Sequence, residues 1–153
     1  MYNEIITAPV AAGFKPYAAG HILWLFGAFL LWTGIYALCK NADERRYRRL
    51  KICLAVFSLL MQLARALILR LRGDYGLSQL PLHLCSISVY LCFVYALYPK
   101  RLAAQFLFAF SLPGWTLALL FPGWRGYGLY DAVCVLSFLL HIVPIGFVLM
   151  QLL

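Results

Sequence analysis

Apolar residues fill this chain in five long runs, at about residues 21–39, 50–71, 80–98, 102–121 and 130–153, and most charged residues sit in the breaks between them. A run of roughly 20 residues rising about 1.5 Å each crosses a ~30 Å hydrocarbon core. The pattern therefore predicts five spanning helices. None of the runs alternates apolar and polar positions, so a closed barrel, the other structure that satisfies its backbone in lipid, is excluded. The predicted fold class is all-α, a polytopic transmembrane helix bundle forming one membrane domain over residues 1–153.

Composition agrees. The chain is 65% hydrophobic and 12% charged, with a mean hydropathy of +0.86, where a soluble domain is about half apolar and about a quarter charged. Its net charge of +8 carries topology and gives no sign of nucleic-acid binding, because the basic residues gather in the breaks. The first break (Lys40, Arg45, Arg46, Arg48, Arg49, Lys51) and the third (Lys100, Arg101) hold eight; Lys15, Arg70, Arg72 and Arg125 lie on the other side. The positive-inside rule then predicts an outside N-terminus and a cytoplasmic C-terminus. Tyr17, Trp24, Tyr75, Trp124, Tyr127 and Tyr130 are expected to form an aromatic belt at the outer boundary. The N-terminal residues lack a basic stretch before an apolar core, so an uncleaved first helix is expected. All five cysteines fall within or at the edge of apolar runs and are expected as thiols.

Polar groups inside spans are costly and mark candidate function. Here they are Gln62 and Arg65 in the second run, His83, Cys85, Ser86 and Ser88 in the third, Thr116 in the fourth and His141 in the fifth. Residues two apart on a helix project about 200° from each other, so His83 is expected to point away from Cys85, and any base for Cys85 must come from another helix. His141 is the natural partner: an imidazole can take the thiol proton, and a helix N-terminus favours a thiolate. The counted depths, ~8 Å for Cys85 and ~15 Å for His141, leave a gap that helix tilt would have to close. Pro144 should leave the Leu140 carbonyl without its helical donor, next to His141. Arg65 lies within snorkelling reach of the headgroups, where it would grip a phosphate or be neutralised by Asp74 or Asp131. Ser88 and Thr116 are candidate lining residues, although the commoner role of such hydroxyls is to back-bond to their own helices. No metal or organic cofactor is called for, because the possible ligands do not converge.

The segments LPLHLC (residues 80–85), LALLFP (117–122) and SFLLH (137–141) resemble the YwaF-like family of bacterial integral membrane proteins, which is grouped with an animal transmembrane branch. More distant relatives resemble lipid hydrolases with a threonine nucleophile. For the animal branch the resemblance implies acyl transfer onto phospholipids, with Cys85 in the place of the nucleophile and His141 in that of the histidine. It also implies a multi-pass protein of a bacterial plasma membrane. Family members continue through one or two further helices, so a truncated form is expected. Two functions follow as expectations. One is a lipid acyltransferase or hydrolase in which Cys85 and His141 react while Arg65 or His83 positions the lipid. The other is a non-catalytic module that binds membrane lipids or a partner membrane helix.

Overall fold

A computed structural model of the chain describes residues 13–74, 76 and 83–152. These residues form helices and connections, with no strand among them. The helices are α1 (Ala19–Lys40), α2 (Glu44–Leu71), α3 (Leu84–Leu97), α4 (Arg101–Leu120) and α5 (Ala132–Leu149), the last continued by a 3-10 turn over Met150–Leu152. Four of the five are long and apolar enough to cross a membrane, counting the 3-10 turn with α5; α3, with 14 residues, is shorter. The expected start of the third helix at residue 80, with Pro81, lies outside the described residues, as does Tyr75.

Helix α2 begins six residues earlier than its apolar run. The first basic break is therefore mostly helix: Arg, Glu and Lys are good helix formers, and hydropathy marks the lipid-crossing part of a helix rather than its end. Helix α4 departs from regularity in its middle, where Leu107–Ser111 winds as a π-helix and the Leu112 amide donates back to the Leu107 carbonyl. Pro113 explains this, because it offers no amide to the Ala109 carbonyl and its ring crowds that position. The wider turn directs Leu107 and Ser111 inward, both buried.

The bundle is built around α5. Some 72% of its apolar stretch is buried within the protein, against 11% for α1, and each of the other four helices packs on it. Helix α1 leans on α5 through Trp32, whose indole N–H donates to the Ile142 carbonyl at 2.8 Å. Gly146 permits this approach, since a Cβ there would lie 2.6 Å from the Ile35 Cδ1. At the end bearing the α4–α5 connection, Phe138 of α5 is the hub of an aromatic cluster. Trp24 stacks on it at 4.8 Å and Trp124 meets it edge-on at 5.3 Å. These two expected belt residues thus pack inward, whereas Tyr130 is almost fully exposed. Arg72, just past α2, makes an ion pair with Asp131 in which its Nη1 reaches both carboxylate oxygens, at 2.8 and 3.0 Å, and Asp131 also caps α5 by accepting from the Val133 amide.

Candidate functional site

The same end of the bundle frames a half-open cavity of about 430 Å³. Its walls come from the second half of α2, the first turns of α3, the end of α4, the α4–α5 connection and the first half of α5. Cys85 is the second residue of α3 and is half-buried as a free thiol. Its carbonyl accepts a hydrogen bond from the Trp115 indole at 3.3 Å.

The expectation that His83 turns away from Cys85 is corrected here. His83 is the N-cap, with extended backbone (φ −67°, ψ 146°), so the rotation of 100° per helical residue does not apply between the two, and both line the cavity. Gln62 of α2 donates to the Ser86 hydroxyl at 3.0 Å, fixing α3 to α2 at this level.

On the facing helix, the His141 Nδ1 lies 2.6 Å from the Ser137 carbonyl. A carbonyl can only accept, so Nδ1 carries the ring proton and Nε2 keeps its lone pair, the form a general base requires. Trp124 covers the imidazole, with ring centroids 4.7 Å apart. Ser137 serves a second purpose: its hydroxyl accepts from the Arg65 Nε at 2.9 Å while donating to the Val133 carbonyl at 2.6 Å. One residue thereby orients both the imidazole and the guanidinium. His21 makes an instructive contrast. It is buried, accepts from the Tyr17 amide at Nδ1 and has Nε2 2.8 Å from the Leu119 carbonyl, so both nitrogens are committed, Nδ1 to the segment that leads into α1 and Nε2 to tying α1 to α4.

Among the described residues the cavity wall contains no carboxylate. Asp131, one of the groups that sequence offered as a partner for Arg65, pairs instead with Arg72. On the α4–α5 connection Tyr127 adds a phenol to the wall. Burial, together with the Asp74 and Asp131 carboxylates and against the opposing pull of Arg65 and Arg72, raises its pKa above the ordinary value, so it stays protonated and can donate.

Residues 16–153 match the model of the TMEM164 family. The chain belongs to the TMEM164 family. No curated protein and no solved structure matches it. Membership in this transmembrane family and the apolar helices make the chain a multi-pass integral membrane protein, and every cavity residue named above lies within the matched region.

In this TMEM164-family chain, four of the six residues given a catalytic or lining role from sequence meet in one cavity, Arg65, His83, Cys85 and His141, together with Gln62 and Ser86 from the wider set of polar residues in the spans. Ser88 and Thr116 do not line it. Ser88 is buried on the side of α3 that faces the π-turn, where it donates to the Leu84 carbonyl at 2.6 Å and accepts from the Ser111 hydroxyl at 2.7 Å. Thr116 is exposed and bonds back to the Leu112 carbonyl at 2.8 Å. Sequence reasoning missed Ser137, Trp124 and Tyr127 as parts of the wall. Ser137 carried a usable signal, since position i−4 from a helical histidine presents its carbonyl to that ring. The two aromatics carried none that separates a wall residue from an interfacial one.

Proposed function

We propose that this TMEM164-family protein moves acyl groups between membrane lipids, with Cys85 as nucleophile and His141 as general base. The observation that carries this reading is a thiol on α3 and an imidazole on α5 lining one cavity, the imidazole in the tautomer that leaves Nε2 basic. The reaction balances without a cofactor. The Cys85 sulfur attacks the ester carbonyl of a phospholipid while Nε2 takes the thiol proton. The carbon–oxygen ester bond breaks, and the departing alkoxide recovers that proton as a lysolipid. A second hydroxyl, from another lysolipid or from water, then attacks the thioester by the reverse proton path, giving transfer or hydrolysis. Arg65, held on Ser137, supplies positive charge for the phosphate or for the developing oxyanion.

The likeness of LPLHLC and SFLLH to YwaF-like bacterial proteins supports the same assignment of Cys85 and His141, and with it a bacterial plasma membrane. The charge asymmetry supports a cavity opening toward the outer leaflet.

A second reading is a non-catalytic module that holds a lipid or a partner membrane helix. The Gln62–Ser86 and Arg65–Ser137 bonds favour it, because polar side chains bridging helices also serve as structural ties in membranes.

A thiol-directed, lipid-like probe applied to membranes containing the protein separates the two. Acyl transfer predicts labelling that is lost in Cys85→Ala and falls roughly a hundredfold in His141→Gln, the usual scale of a general base, together with an altered acyl-chain distribution in cells that express the wild type. Equal labelling of wild type and Cys85→Ala, with an unchanged lipid profile, would leave the binding module.

A further inference from the structure

Among the described residues, the Trp124 Nε1 is the only buried side-chain nitrogen or oxygen without a hydrogen-bond partner. Trp124 belongs to the wall of the cavity that holds Cys85 and His141. An orphaned buried donor costs about 1–3 kcal/mol, and native proteins tolerate few of them. The ring is not at liberty to turn toward water, because His141 stacks on one part of it and Phe138 abuts it edge-on. The indole N–H only donates, so whatever satisfies it must be an acceptor. The remaining wall chemistry agrees with an oxygen ligand: Arg65 donates from the same cavity, and no described wall residue is a carboxylate.

We propose that the Trp124 indole N–H is a ligand donor, satisfied when an ester or phosphate oxygen of a bound lipid seats against it. The proposal rests on the lipid reading of the cavity, but not on the acyl chemistry. Trp124 follows Gly123 and is two residues before Gly126, each with open space where a Cβ would be, so the backbone of the connection can shift by the small amount that admits the oxygen while the ring keeps its stack on His141. Stacking on His141 puts the indole ring beside the proposed base, which makes Trp124 a specificity residue for lipids bearing an oxygen within reach of its N–H.

The test uses Trp124→Phe, which keeps an aromatic ring for the stack and removes the N–H. Binding of two probes is measured on purified protein in a Cys85→Ala background, so that turnover plays no part. One is a lysophosphatidylcholine, with ester and phosphate; the other is a monoacylglycerol of the same chain, with the ester alone. The expected result is a roughly five- to tenfold weaker affinity, with thermal stability of the unliganded protein equal to or above that of the Cys85→Ala parent, because the orphan donor is gone. A loss shared by both probes assigns the ester oxygen, and a loss confined to the lysophospholipid assigns the phosphate. Unchanged affinity for both, failure of the parent to bind either, or a fall in unliganded stability that accounts for the weaker binding would overturn the proposal. Should binding behave as expected while the Cys85 labelling experiment fails, the donor role stands and the acyl-transfer reading falls.

Discussion

Ser137 is the side chain on which the two halves of the site converge, its hydroxyl on Arg65 and its carbonyl on His141. Ser137→Ala separates these duties, because the substitution removes the hydroxyl and leaves the carbonyl. The expected outcome is a fall in the rate of Cys85 labelling of about fivefold, the worth of roughly one hydrogen bond, far smaller than the loss in His141→Gln. Labelling kinetics on the two variants side by side would check this. At this scale the sequence was legible where chemistry is rare. A histidine, a cysteine and an arginine inside apolar runs stand out, and Cys85, His141 and Arg65 do share a cavity. Ser88 and Thr116 bond back to their own turns, as hydroxyls on helices commonly do, but nothing in a single sequence tells which neighbouring element such a hydroxyl faces.

Individual helices were legible in proportion to how strongly lipid dictates their composition. The runs behind α1, α4 and α5 matched their helices to within about two residues at each end, the 3-10 turn counted with α5, since every residue there is chosen for one solvent. The extension of α2 into Glu44 and the π-turn of α4 were not legible. The first depends on propensity in a polar stretch, the second on how α4 resolves Pro113 against α3. Ser111, the last residue of that anomaly, and Trp115, one turn further on, both reach the first turn and a half of α3, at Ser88 and at the Cys85 carbonyl. Pro113→Ala is expected to relax the wide turn toward regular α-helix and to separate Ser111 from Ser88, seen as faster amide exchange at the start of α3. The seam of α1 on α5 makes a second prediction at this scale. Gly146→Leu would drive Trp32 off the Ile142 carbonyl and cost about 1–3 kcal/mol, read as a lower thermal midpoint in detergent.

Among the described residues, one enclosed helix is packed against four others, with the polar cavity toward one end of the bundle and the most basic stretch, the first turns of α2, toward the other. If the charge bias sets orientation, a cysteine in place of Arg125 will react with a membrane-impermeant maleimide added outside intact cells, whereas one in place of Arg46 will react only after lysis. That the chain folds as a bundle in lipid was legible from hydropathy alone; which helix takes the centre was not, because the few polar residues in the runs do not mark one run as more enclosed than another. The brevity of α3 bears on how the surrounding bilayer must behave. Fourteen residues reach about 21 Å, well short of a ~30 Å hydrocarbon layer, so if the described helix is the part that meets the hydrocarbon, acyl tails beside it would dip or compress. Such a dimple would lower the headgroup plane toward the Cys85 thiol. Reconstituted into vesicles of graded chain length, the protein is expected to be alkylated fastest at Cys85 in the thinnest bilayers and to slow as the lipids lengthen.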